Sequence, residues 1–192
     1  MKKLLIFIAI LAPLFYGLYT SYNGLILQNE NVKSVWAKVE TQYQRRGDLI
    51  DNLVSTVKGY ADFEKSALTD VIKARSEATK ISLNAEQLTA ENIALFHKAQ
   101  SQLSSSLSRL LVSVEQYPNL KANEGFLKLQ DEIAGTENRI SVARDNYNEA
   151  ARIYNIFVQT FPRVAIAKIF NFQPKGYFEA DAAGKKAPIV KF

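Results

Sequence analysis

The stretch LILQNENVKSVWAKVETQYQRRGDLIDNLVSTVK, Leu25 to Lys58, decides the fold. Counting steps of three and four from Tyr22 lands on Leu25, Asn29, Val32, Trp36, Val39, Tyr43, Arg46, Ile50, Leu53, Val57 and Tyr60, and only Asn29 and Arg46 are polar. This seven-residue spacing lines apolar side chains along one face of an α-helix, whereas a strand would scatter them over both faces of a sheet. A helix with such a stripe buries it against other helices, as in a coiled coil. No proline interrupts Leu25 to Lys58.

Upstream, Met1-Lys2-Lys3 precedes the apolar run Leu4 to Tyr19, and the first charge after Lys3 is Glu30. Leu25-Ile26-Leu27 extends the run past Thr20-Ser21, and Tyr16, Tyr19 and Tyr22 stand where an aromatic belt would lie. A spanning helix needs about 20 mostly apolar residues, and Pro13 is tolerated in one. A retained transmembrane anchor over residues 1–28 is therefore expected. The competing reading, a cleaved signal peptide, needs a small-x-small site that is absent at the usual distance. Lys2 and Lys3 favour a cytoplasmic amino terminus with the bundle on the extracytoplasmic side, although Lys33 and Lys38 oppose them. The expected location is a membrane, crossed once.

Downstream, Gly59 reads as a left-handed cap, and Asp62 caps a second helix with the seam Phe63, Ala67, Val71, Ala74, Ala78 and Ile81. Asn84, followed by Glu86 and Gln87, reads as the next helix start. That helix carries Leu88, Leu95, Phe96, Ala99, Leu103, Leu107, Leu110 and Val114 and closes at Pro118. A fourth helix repeats the heptad through Phe126, Leu129, Ile133, Thr136, Ile140, Ala143, Tyr147, Ala150, Tyr154, Phe157 and Phe161, ending near Pro162. The expected fold is all-α: a transmembrane helix continuous with the first helix of an antiparallel four-helix bundle over residues 29–170. An irregular tail follows over 171–192. Its Tyr177, Phe178, Ile189 and Phe192 are candidates for an oligomer contact, with docking on the bundle as the alternative.

Composition narrows the function. The chain has 192 residues, 47% of them hydrophobic, with only 8 Gly and 5 Pro, which disfavours disorder and sheet-rich folds. The net charge of +5 is spread among nearly as many acids, so no phosphate-binding stripe forms and no nucleic-acid partner is expected. Without cysteine there is no disulfide or thiolate chemistry. His97, the only histidine, has no ligand set at helical spacing, and no Glu-x-x-His pair of the di-iron kind exists. Phosphate loops and serine elbows are missing, and Ser101, Ser104, Ser105, Ser106 and Ser108 read as a helix face. Neither a cofactor nor an enzymatic activity is expected.

One polar cluster stands out. Arg46 falls in the first seam, where a lone charge is costly. With the first and fourth helices antiparallel, it faces the stretch Glu132 to Glu137. Glu137 or Glu132 is expected to pair with Arg45 or Arg46, and Arg139 with Asp48, in a polar layer that includes Asn52 and fixes register. A ligand or partner site is the other reading of that cluster. Trp36, Tyr43, Tyr147, Asn148 and Tyr154 are expected at the helix interface, the tyrosines burying a ring while the hydroxyl meets a polar group.

Taken in order, these segments resemble the LemA family. The matching stretches include Tyr22-Asn23-Gly24-Leu25, Val35-Trp36-Ala37, Arg45-Arg46-Gly47-Asp48-Leu49-Ile50-Asp51-Asn52-Leu53-Val54, Tyr117-Pro118-Asn119-Leu120, Thr136-Glu137-Asn138-Arg139-Ile140, Tyr147-Asn148, Phe161-Pro162 and Tyr177-Phe178-Glu179. Asp51 departs from the family pattern, which often has proline there. The resemblance implies a bacterial membrane protein with a four-helix bundle. Some relatives are tied to shaping internal membranes and others occur beside membrane proteases. The expected function is a self-associating scaffold that organises the lipid bilayer; an adaptor for a membrane enzyme such as a protease is the alternative.

Overall fold

The computed structural model describes residues 2–60 and 65–179. Among these residues, all regular structure is helical: α1 Lys2–Lys58, α2 Lys65–Lys80, α3 Ala90–Val114, α4 Pro118–Lys121, α5 Glu124–Gln159 and α6 Arg163–Ile169. The chain forms two compact units, one of Met1–Arg46 with Ala134–Lys175, the other of Gly47–Ile133 with the segment from Gly176 onward. Both α1 and α5 contribute residues to each.

In the first unit, α1 and α5 run antiparallel, because contacts that climb α1 descend α5. The Phe157 ring packs over Gly24, where a Cβ would come within 2.8 Å of it. Trp36 meets Tyr147, and Arg46 meets Glu137. The stripe between them is buried as the heptad requires: Leu25, Val32, Trp36 and Val39 on α1, and Ile140, Tyr147, Ala150 and Tyr154 on α5. Each fully covered large side chain here contributes about 1.5–3 kcal/mol.

The second unit is the four-helix part. Ile50, Leu53 and Val57 of α1, Leu68 and Val71 of α2, Leu103, Leu107 and Leu110 of α3, and Phe126 and Ile133 of α5 share one core with Leu120 of α4. Helices α2 and α3 lie wholly within the second unit. With 16 and 25 residues they cannot match the 57 of α1 or the 36 of α5.

The largest correction concerns the amino terminus. Among the described residues, no helix is long and apolar enough to cross a membrane, so the transmembrane anchor over 1–28 is not supported. The continuous strongly apolar run, Leu4 to Phe15, is about 18 Å long as a helix, against roughly 30 Å of hydrocarbon. Tyr16, Tyr19, Thr20, Ser21, Tyr22, Asn23 and Gly24 then dilute it. The sidedness argument from Lys2 and Lys3 presupposed a crossing and lapses with it.

Smaller corrections have local causes. Gly59 does not adopt a left-handed conformation; its N–H instead closes a tight turn onto the Thr56 carbonyl at 3.2 Å. The expected cap Asp62 and seam residue Phe63 lie outside the described residues. Asn84 accepts from the Glu86 and Gln87 amides, yet this organises only a turn. Helix α3 starts at Ala90, with the Thr89 hydroxyl accepting from the Asn92 N–H. Pro118 begins α4 rather than closing α3, because its missing N–H is harmless in a first turn. Leu95 is 51% exposed, one step off the buried row Ile93, Phe96, Leu103, Leu107 and Leu110. Phe161 is 83% exposed, because α5 stops at Gln159 before the seam reaches it.

The carboxyl-terminal segment returns to α3 in the second unit. The Gly176 N–H donates to the Leu88 carbonyl at 2.8 Å, and Phe178 is buried with its ring edge-on to Phe96 at 6.3 Å. Only glycine fits there, since a Cβ on Gly176 would sit 2.6 Å from the Ala90 Cα and 2.7 Å from the Thr89 carbonyl oxygen. Backbone on the far side leaves no flexible group to yield. Gly176→Ala is therefore expected to destabilise the second unit by about 1–3 kcal/mol. Gly47, inside α1, has nothing within 4 Å of where a Cβ would stand, so Gly47→Ala is expected to stabilise by about 0.5–1 kcal/mol. Urea denaturation of the two variants measures both, and shifts of the same sign would contradict the assignment.

Candidate functional site

The first unit concentrates the polar and apolar features that packing alone does not explain. At its inner end, heptad spacing carries Arg46 into the seam, where it is only 2% exposed. Its Nη1 donates to Glu137 Oε1 at 2.7 Å, and its guanidinium lies 5.0 Å from the centre of the Tyr43 ring. The Glu137 side chain is 37% exposed, so its carboxylate sits at the rim while the whole arginine side chain, head included, is buried. An arginine serves here because its long apolar stem fills core volume and its planar head reaches a carboxylate.

Of the expected pairs, the structure brings together Arg46 and Glu137. Arg139 is exposed and donates to Thr136 Oγ1 at 3.0 Å, within its own helix. Arg45, Asp48 and Asn52 are exposed, and Glu132 is half-buried in the second unit. At the interface, Trp36 and Tyr147 make an edge-to-face pair with centroids 5.3 Å apart. Tyr43 and Tyr154 are buried beside them, and Asn148 is half-buried. Burial raises the Glu40 carboxyl above its ordinary range, and a hydrogen bond from Trp36 offsets part of that. Burial also pushes the Tyr154 hydroxyl up to about 12, because phenolate there would lose its hydration.

Several polar contacts escaped the sequence reading. Asn155 grips the Lys175 backbone at two points: its Nδ2 donates to the carbonyl at 2.8 Å, and its Oδ1 accepts from the N–H at 2.7 Å. In the second unit Arg75 pairs with Asp51, and Asn123 Nδ2 donates to the Tyr60 hydroxyl at 3.0 Å. These partners are too far apart in the chain for helical spacing to relate them. The one available signal was Asn123 ahead of an apolar run, since Asn123 Oδ1 accepts the Phe126 N–H at 2.9 Å as a cap.

The outer end of the same unit is an apolar surface. Leu5, Phe7, Ile8, Phe15, Tyr16, Leu18, Tyr19, Ile26 and Leu27 of α1 are all exposed. Beside them α5 ends at Gln159 and the short α6 follows, closed by Asn171 at φ 58°, a left-handed position that asparagine tolerates. Tyr22 of α1 meets Phe170 at 4.7 Å and Phe172 at 6.1 Å.

Elsewhere the candidates are structural. The His97 ring stands edge-on to Phe178 at 6.1 Å. Hydroxyls of Ser105 and Ser108 donate to backbone carbonyls one turn back, both at 3.0 Å. Phe178 turns into its own unit, which takes its ring away from any second subunit. Tyr177 is exposed, while Ile189 and Phe192 lie outside the described residues. Among the described residues, no His, Asp and Glu cluster could hold a metal ion.

Two predictions follow from the polar layer and the buried phenol. Glu137→Ala leaves Arg46 buried without its carboxylate and is expected to cost about 2–3 kcal/mol, reduced from the fully buried case by the exposure of Glu137. The double variant Arg46→Met/Glu137→Gln is expected to recover at least half of that loss. A double variant as unstable as Glu137→Ala would show that the pair contributes nothing specific. For Tyr154, the folded value lies above the ordinary 10.0, so its contribution is complete below pH 10 and is lost as pH rises through about 12. In alkaline denaturation Tyr154→Phe is expected to flatten stability across that window, and an unchanged slope would remove the assignment.

The chain is 28% identical to magnetosome protein MamQ 2 of Paramagnetospirillum magneticum over 187 aligned residues, covering 88% of this chain and 68% of the relative. It is 26% identical to magnetosome protein MamQ of Magnetospirillum gryphiswaldense over the same coverage. Protein LemA of Metamycoplasma hominis is 23% identical over 177 residues, covering 92% of this chain and 77% of the relative. The LemA family model matches residues 35–192, which includes the part of α1 from Val35 onward and every later helix, and the chain belongs to the LemA family.

Proposed function

We propose that this protein is a non-enzymatic, membrane-associated scaffold whose copies self-associate. The exposed apolar end of α1 carries the reading. Leu5, Phe7, Ile8, Phe15, Leu18 and Leu27 face outward on a helix with no charge from Leu4 to Asn29. Covering each such side chain is worth about 1.5–3 kcal/mol, and contiguous apolar patches of this size mark contact with lipid or another protein. The association proposed is with a lipid surface, and it needs no helix that crosses the bilayer. Similarity to magnetosome proteins adds support, since an organelle component is consistent with a structural part.

A second reading, an adaptor for a membrane enzyme, draws on a groove of about 350 Å³ between α1 and α5, lined by Val35, Lys38, Gln42, Arg139 and Val142. Gln42 Oε1 is buried there without a hydrogen-bond partner among the described residues, and Val142 is exposed. An apolar side chain of a partner would cover Val142.

The test is the mass of the full chain by light scattering, in mild detergent and again on lipid vesicles. The scaffold is expected to float with the vesicles and to show a mass that rises with concentration. A strict monomer that stays in the aqueous fraction would reject it. A stable one-to-one complex with a different membrane protein, abolished by Val142→Glu, would favour the adaptor.

A further inference from the structure

The turn between α5 and α6 leaves an apolar, basic surface uncovered beside α1. Phe161 is 83% exposed, Ile169 76% and Phe170 56%, while Ile166 and Ala167 of α6 are buried. Charge is one-sided. No Asp or Glu occurs between Glu149 and Glu179, and the elbow itself carries Arg163 and Lys168. Arg163 lies 3.7 Å from the centre of the Phe157 ring, so its stem is held against the unit, and Lys168 is exposed.

We infer that this elbow, residues 161–170, is a second lipid-contact element that rests on an anionic membrane surface beside the apolar end of α1. The inference builds on the membrane-associated reading above. Its placement follows from Tyr22, which touches Phe170 and Phe172. One and two turns towards the amino terminus, Tyr19 and Tyr16 are exposed on α1. Aromatic rings concentrate at the boundary between headgroups and hydrocarbon, so the elbow stands at the level where those tyrosines meet lipid. Apolar side chains that enter this boundary with lysine and arginine around them describe an interfacial element that favours anionic lipid. A second copy of the chain fits less well, because a two-fold contact would face Arg163 and Lys168 with their own equivalents and no acid between them.

The absence of cysteine makes a depth measurement direct. Phe161→Cys, Ile169→Cys and, as a control in the second unit, Glu86→Cys are labelled with an environment-sensitive dye in the full chain. The labelled proteins are mixed with vesicles of phosphatidylcholine alone or with added phosphatidylglycerol. Dyes at 161 and 169 are expected to shift to the blue and to become shielded from an aqueous quencher, more so with phosphatidylglycerol, while the dye at 86 does neither. Lys168→Glu is expected to weaken the phosphatidylglycerol-dependent part about fivefold or more. Protein that floats with vesicles while both elbow dyes stay quenchable would overturn the elbow assignment and leave the scaffold reading intact. Protein that does not float at all would overturn both. Shielding without vesicles, rising with protein concentration, would mean that a second copy covers the elbow, and the assignment would be wrong.

Discussion

The antiparallel seam between α1 and α5 in the first unit is the constraint on which the other features depend. Only two long helices are available there, so each must find its apolar partner in the other. The heptad supplies that match with Trp36 against Tyr147 and buries Leu25, Val32, Val39, Ile140 and Tyr154 beside them. Apolar stripes alone tolerate sliding by a heptad. A charge inside the stripe does not, because a slipped Arg46 would lose Glu137 and remain desolvated. Packing therefore supplies the stability, and the arginine layer distinguishes one register from its neighbours.

Towards the amino terminus the seam runs out of helices to cover it. Among the described residues, Leu5, Phe7, Ile8, Phe15, Leu18 and Leu27 are exposed, and the elbow at Phe161–Phe170 meets α1 through Tyr22. A protein with a filled core and an uncovered apolar end is built to have that end covered by something else. This is why the functional reading rests on a surface and not on a pocket. The elbow's Arg163 and Lys168 lie in a stretch of sequence with no acid between Glu149 and Glu179.

Much of the fold could be read from residue spacing. A period of three and four fixes which face of α1 and α5 turns inward, whatever the surroundings; antiparallel order set Arg45 or Arg46 opposite Glu132 or Glu137 without choosing among them, and Arg46 and Glu137 meet. Spacing says less about where a helix stops. Phe161 obeys the heptad of α5, yet the helix has ended at Gln159, so the side chain that would have joined the seam becomes the most exposed phenylalanine of the elbow. Asn84 has the chemistry of a cap and makes a cap's hydrogen bonds, but Thr89 starts the helix, and local chemistry alone does not choose between them. Hydrophobicity misled at the amino terminus, where a charge-free stretch was read as a membrane crossing even though its strongly apolar part is short. Contacts such as Asn155 with Lys175 and Arg75 with Asp51 depend on tertiary placement and left no periodic trace.

Hydrogen exchange, followed amide by amide on the full chain, tests the central seam most directly. If the two stripes hold each other, amides of Val32–Arg46 and Thr136–Tyr154 are the slowest of the first unit and lose protection together as urea is raised. Rapid exchange through Val32–Arg46 while Thr136–Tyr154 stays protected would mean that α1 stands without its partner, and the account would be wrong at its foundation.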